Sequence, residues 1–151
     1  MKSPFVRTWL CIIALLATSG CRVGSTPIPK SLEEMKCAIV GGEWRSPGGG
    51  FGMSLLSDGI LRARTVESYG YFPEPCPIPT ELLANPRWTI SNYTSDPTGR
   101  TTCALIVESD GTAPSEYRLR WHSGEGDYSK DDYDHLELKH GVCRWELERM
   151  K

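Results

Sequence analysis

The sequence predicts an all-β fold: an antiparallel meander of about 7–8 strands closing into a small barrel or sandwich, with one short N-terminal helix. Three observations predict it. Residues 115–122 and 142–149 alternate apolar and polar side chains with period two, as half-buried strands do. Turn signals such as Ser57-Asp58-Gly59 separate short apolar runs along the rest of the chain. Only one segment, opening at Ser31 with Glu34 three residues on, carries a helix-start pattern.

Residues 1–20 read as a segment that is removed. Lys2 and Arg7 are its only charges, and an apolar run at 9–17 follows, nine residues long, against the roughly 20 needed to span a bilayer. A basic start, a short apolar run and small residues make a secretory signal peptide. The stretch Leu16-Ala17-Thr18-Ser19-Gly20-Cys21 resembles a bacterial lipobox. That resemblance implies cleavage by signal peptidase II before Cys21 and acylation of its thiol, although Thr18 stands where Leu is usual and leaves signal peptidase I cleavage open. Two or three acyl chains, at about 0.8 kcal/mol per buried CH₂, hold a protein stably on a membrane. Arg22 is not the Asp of an inner-membrane retention signal, so the expected site is the outer membrane facing the periplasm, or the outer face of the cell membrane where there is only one.

The remaining elements follow in order. Residues 21–30, with two prolines and a glycine, form the lipidated cysteine and its tether, and 31–151 form one domain. The helix from Ser31 ends near Gly41-Gly42. Phe51, Met53 and Leu55 alternate with Gly52 and Ser54, and a hairpin through Asp58-Gly59 leads into a strand from Ile60 to Val66. Four prolines between 72 and 79 make a loop, because proline lacks the donor a central strand needs. Strands then run over 87–93, with Trp88, Ile90 and Asn92 on one side, and over 102–108, 115–122, 135–139 and 142–149.

Composition narrows the function. The chain is 39% hydrophobic with Gly and Pro lacking any period, which excludes disordered, collagen-like and coiled-coil chains. Losing Lys2 and Arg7 leaves 15 basic residues against 19 acidic ones, a formal charge of −4 on the 131 residues after position 20. That balance argues against a nucleic-acid partner and against a polybasic membrane surface. Cys37, Cys76, Cys103 and Cys143 remain once Cys11 leaves with the signal peptide and Cys21 carries lipid. An even number in an exported chain predicts two disulfides, with three pairings open. Cys37 before the first strand and Cys143 in the last would be neighbours in a closed meander, so the expected pairs are Cys37–Cys143 and Cys76–Cys103. No two of these cysteines have the C-x-x-C spacing of a zinc site.

Gly42-Glu43-Trp44, the turn Ser57-Asp58-Gly59 and Arg87-Trp88-Thr89-Ile90 together resemble the small lipocalin-like (calycin-like) bacterial lipoproteins, over residues 32–149. The Pro-rich segment at 70–86 and the four cysteines depart from that pattern. The resemblance implies a β-barrel whose interior is either filled or holds one small ligand. It does not fix a function.

Nothing in the sequence assembles a catalytic set. The glycines at 48–52 lack the G-x-S-x-G elbow and the Lys-Ser or Lys-Thr of a phosphate loop. There is no H-E-x-x-H, and His122, His135 and His140 are spread over separate strand positions. The expectation is therefore a non-enzyme, monomeric and without cofactor. The acidic stretch with Asp127, Tyr128, Asp131, Asp132, Tyr133 and Asp134 fails the EF-hand register and reads as a partner-binding surface for a basic protein, or as a solvated turn. Asn92-Tyr93-Thr94 is a glycosylation sequon of a kind that a bacterial lipoprotein leaves bare. Trp44, Trp88, Trp121 and Trp145 either fill the barrel or line a ligand pocket. Three functions follow: a binding module that inhibits a toxin or wall hydrolase through loops 46–52, 70–86 or 123–134, as immunity proteins do; a carrier of a small apolar ligand; or an envelope scaffold.

Overall fold

The computed structural model describes residues 28–67, 76–97, 100–122 and 134–150. Helix α1 spans Leu32–Ile39, and strands β1 (Trp44–Arg45), β2 (Gly50–Leu55) and β3 (Leu61–Val66) follow. Helix α2 is Thr80–Leu83. Strands β4 (Arg87–Ser95), β5 (Thr101–Glu108), β6 (Ser115–His122), β7 (His135–His140) and β8 (Cys143–Arg149) complete the chain. All eight strands lie in one antiparallel sheet, in the order β3-β2-β1-β8-β7-β6-β5-β4. The sheet curls into a half-barrel, so the barrel alternative holds and the two-sheet sandwich does not.

Its two edge strands meet at one point. Ile60 bridges Arg87, with Leu61 N–H donating to the Pro86 carbonyl and Trp88 N–H to that of Gly59, each at 2.9 Å. The Asp58-Gly59 turn makes this meeting possible. Gly59 sits at φ +85°, and the Asp58 carboxylate accepts the Ile60 N–H at 3.1 Å. Away from that point the edges are protected. β3 presents Arg62 and Arg64, and β4 is bulged between Ser91 and Thr94.

The concave face is the core. It holds Trp44, Phe51, Met53, Leu55, Leu61, Leu105, Tyr117, Leu119, Trp121, Leu138, Trp145 and Leu147, all buried. Helix α1 closes over it with Met35, Ala38 and Ile39, and α2 adds Leu82. Ser31 caps α1 as its sequence predicts, its hydroxyl accepting the Glu34 N–H at 3.1 Å. The Glu34 carboxylate returns to the Lys30 N–H, one residue earlier than in the usual capping box. At the other end of α1, the last carbonyls that a helix leaves open are met from the sheet. The Ile39 carbonyl accepts the Trp44 indole N–H at 3.0 Å, and that of Ala38 accepts the Arg149 guanidinium.

Three expectations are corrected. Asn92 does not continue the inward side of β4: it sits at φ +54° in the bulge, which resets the alternation and packs Tyr93 against the core instead. The segment after the prolines is not all loop, since Thr80–Leu83 forms one helical turn. The disulfide pairing also differs. Cys143 bonds Cys76, and Cys103 is a buried free thiol. Cys37 is disulfide-bonded as well. It lies on the exposed side of α1, turned away from the sheet, which is why it does not reach Cys143.

Candidate binding surface

The predicted acidic surface falls mostly outside the described residues: Asp127, Tyr128, Asp131, Asp132 and Tyr133 all lie there, as does the lipidation residue Cys21. Asp134 is described, and it is no surface residue. It is 3% exposed, with its carboxylate 3.4 Å from Arg149 Nε. Arg149 is 6% exposed and lies over the Trp44 ring, 4.5 Å from its centroid. Asp134 thus anchors the start of β7 to the end of β8 and, through Arg149, to α1.

The four tryptophans are core residues. Trp44, Trp88, Trp121 and Trp145 are between 0% and 3% exposed. Three indoles donate to backbone carbonyls: Trp44 to Ile39, Trp88 to Leu56 at 3.1 Å and Trp145 to Cys76 at 3.4 Å. Each ties the sheet to a segment that lacks a strand partner of its own. The Trp121 Nε1 is buried with no acceptor among the described residues. An unmet buried donor costs about 1–3 kcal/mol. Trp121→Phe is therefore expected to destabilise less than Trp44→Phe, by about 1 kcal/mol, in matched urea titrations. Equal losses would show that indole volume alone matters at both sites.

The convex face carries charge. On β6, β7 and β8, Arg118, Arg120 and Arg144 approach the Glu137 carboxylate at 3.9, 3.7 and 3.1 Å. Glu137 is 7% exposed, so the arginines cover it and extend into solvent above it. Further along the same convex face, Glu43 pairs with Arg45 of β1 at 2.8 Å and Arg64 of β3 at 2.7 Å. The hydrogen bond from Arg45, with Arg64 adding to it, holds the Glu43 carboxyl below its ordinary value against the opposing effect of burial. A shallow, open hollow of about 250 Å³ lies beside this group, between Glu43, Gly52, Arg62 and Arg64. Gly52 leaves little room in it, since a Cβ there would come within 2.9 Å of Val66.

His122, at the far end of β6, is pushed below its ordinary 6.5 first by burial and then by Arg100 and Arg120. The sign follows from linkage. The unfolded chain takes up the proton first, so this contribution to stability is present above about pH 6.5 and is lost as pH falls toward the folded value. Stability is expected to drop on acidification from pH 7 to pH 5.5, and His122→Gln to flatten that drop. An unchanged pH profile in the variant would count against it.

A fourth group sits where α2 meets the sheet. The Tyr117 hydroxyl donates to the Glu81 carboxylate at 2.6 Å, and the His140 ring lies 4.6 Å from the Tyr117 ring. Burial, then the bond to Glu81, raise the Tyr117 phenol. At Glu81 burial opposes ionisation but is outweighed, chiefly by that same hydroxyl, and its carboxyl lies below the ordinary value. The Cys76–Cys143 disulfide closes this end of the fold. Sequence reading missed the group because α2 is too short for a periodic signal; the Pro-rich start and the turn-forming Asn85 (φ +51°) were the available marks. Of the loops proposed from sequence, 46–52 is a tight turn only to residue 49 and runs into β2 from Gly50, with Ser46 N–H donating to the Phe51 carbonyl at 2.9 Å and Gly49 and Gly50 at positive φ.

Among the described residues no group of three or more His, Cys, Asp or Glu is placed to hold a metal ion. No helix there is long and apolar enough to cross a membrane. Family models, curated proteins and solved structures were compared with the chain, and none matches.

Proposed function

We propose that this chain is a lipid-anchored cell-envelope binding module that engages one protein partner, a secreted toxin or wall hydrolase, and inhibits it. One observation carries the reading: the four tryptophans that would have walled a ligand pocket are packed in the core, three of them bonded to backbone carbonyls. Recognition then belongs to loops and outward faces held by a rigid, disulfide-closed sheet. The same observation speaks against the carrier reading, which needs a cavity lined by inward aromatics. It leaves the lipocalin-like resemblance as one of architecture.

The test is affinity capture with the mature chain from secreted and envelope fractions of the producing cells, read by mass spectrometry. The expected result is one enzyme or toxin in stoichiometric amount whose activity falls on addition of the chain. Recovery of a lipid or small apolar molecule alone would overturn the proposal in favour of a carrier. A captured enzyme that keeps full activity would make the chain a scaffold.

Anchoring is part of the proposal and has its own readout. An acylated chain carries its lipid on Cys21 and stays with membranes, whereas a chain cut by signal peptidase I does not. Intact mass of membrane and soluble fractions tells them apart, and a soluble product cut upstream of Cys21 would remove the anchor.

A further inference from the structure

The β7–β8 turn is built as a rigid apolar tip. His140 pairs with Cys143, leaving a two-residue loop, Gly141-Val142. Gly141 sits at φ +58°, and Val142 is not among the residues at positive φ, which is the pattern of a type II′ turn. Glycine satisfies the first position. The second normally takes Asn, Ser or Asp, and a β-branched valine gains nothing there from the turn.

Val142 gains nothing from the core either. It is 98% exposed, whereas Ile28, Leu83 and Met150, the other exposed large apolar residues among those described, are each 40–43% exposed. A lone exposed apolar residue is ordinary on a protein surface. Here the residue contradicts both its local conformation and its burial, and such positions are where a sequence serves function rather than folding.

The surroundings hold the tip still. Cys143, the next residue, is bonded to Cys76. His140, on the other side, lies against the buried Tyr117 ring, and its Nδ1 is 2.9 Å from the Glu116 carbonyl. One row back from the turn, Arg118, Lys139 and Arg144 stand side by side across β6, β7 and β8. The Arg118 and Arg144 side chains are 48% and 56% exposed. Glu116, two residues before Arg118 on β6, is an acid one row nearer the turn. Glu137 and Glu146 lie one row further and are both engaged by Arg144.

From this arrangement we infer that Val142 is the anchor by which the chain docks into its protein partner, entering an apolar pocket whose rim carries carboxylates. The inference rests on the protein-partner reading above and names where the contact is made. A convex tip requires a concave partner, and the cationic row behind it requires an acidic rim. A preformed, cross-linked tip loses little entropy on docking, which is what lets one small side chain act as an anchor.

The test places a photo-crosslinking amino acid at position 142 in the full-length chain, with position 112 in the β5–β6 turn as control, in the producing cells. A protein adduct specific to position 142 is expected, its linked peptide bearing Asp or Glu beside apolar residues. Against the protein so recovered, Val142→Asp is expected to weaken binding by about thirtyfold, the scale of an interfacial hot spot. Arg144→Glu should weaken it as well and lower its salt sensitivity. Val142 is fully exposed, so Val142→Asp should keep the wild-type unfolding midpoint, and a shifted midpoint there would mean the turn is a folding element and would overturn the inference; Arg144→Glu also breaks the pair with Glu137 and is compared at equal folded fraction. Stoichiometric capture of a partner that Val142→Asp still binds normally would overturn it while leaving the protein-partner reading intact. Failure to capture any protein would remove both. Adducts to lipid alone, with binding to anionic phosphatidylglycerol vesicles that Val142→Asp abolishes, would make the tip a membrane contact and overturn it.

Discussion

Replacing Cys143 with serine is expected to cost about 4 kcal/mol of folding stability at 25 °C under non-oxidising-exchange conditions. The bond spans 67 residues, and closing a loop of that length removes a large share of the unfolded chain's conformational freedom. The folded side of the balance points the same way. Cys76 precedes α2, and its carbonyl accepts the Trp145 indole, so the cross-link, the indole and the Tyr117–Glu81 bond together dock this segment on the sheet. Losing the cross-link frees the least regular part of the described fold to open locally. Cys103 does not compensate: burial pushes its thiol up to about 12, so it is a poor nucleophile for exchange. Urea unfolding of Cys143→Ser, Cys76→Ser and the double variant measures the effect. All three should lose the same amount, because each breaks one bond. A loss below about 1 kcal/mol would show that the segment is held by its packing alone. Cys103→Ala is the matched control and should leave the response to reductant unchanged.

How far the fold was legible depends on whether a strand has one wet face. β6 and β8 do, and Tyr117, Leu119, Trp121, Trp145 and Leu147 fall inward as their alternation predicts; Leu136 and Leu138 of β7 do so too, with the charge of Glu137 marking the outer face although arginines cover it. β5 was harder because Ala104, on its outer face, is also buried, and a strand buried on both sides loses its period. β4 could not be placed throughout: one residue at φ +54° shifts every later side chain to the opposite face. The pairing of Cys143 was lost for a different reason. The expectation joined strands adjacent in a meander, whereas the bond joins β8 to a loop crossing the end of the barrel.

The candidate site was legible in its residue types and not in their roles. Trp44, Trp88, Trp121 and Trp145 mark either a core or a pocket, and only the carbonyls facing three of their indoles decide it. Asp134 looked like one more acid of an exposed loop, because its partner lies 15 positions away, at the last residue of β8. Val142 is read from the sequence as the first residue of the alternating strand 142–149. Gly141 was the signal that a turn begins there, and the valine's exposure follows from the turn rather than from its own chemistry.

Arg149 is where the largest effect of a single non-cysteine substitution is expected. Its side chain is 7% exposed and that of Asp134 2%, so two charges have left water for one another. The guanidinium also meets the Ala38 carbonyl, at the negative end of the α1 backbone, and the face of Trp44. Three elements, α1, β1 and the start of β7, therefore depend on one side chain. Arg149→Met keeps much of the volume and the contact with the indole but removes every donor. It leaves the Asp134 carboxylate buried without its guanidinium, a change that costs about 3–5 kcal/mol when a buried pair loses one partner. Adding Asp134→Leu to Arg149→Met removes the buried carboxylate as well and should recover part of the loss, because a buried ion pair adds little over apolar groups that pack as well. The recovery cannot be complete, since the Ala38 carbonyl still lacks its donor. Unfolding titrations of the two single variants and the double variant make the cycle. Strict additivity would show that Arg149 acts through α1 and Trp44 alone. Recovery of at least about 1 kcal/mol in the double variant would assign the cost to the charge pair that fastens the start of β7 to the end of β8.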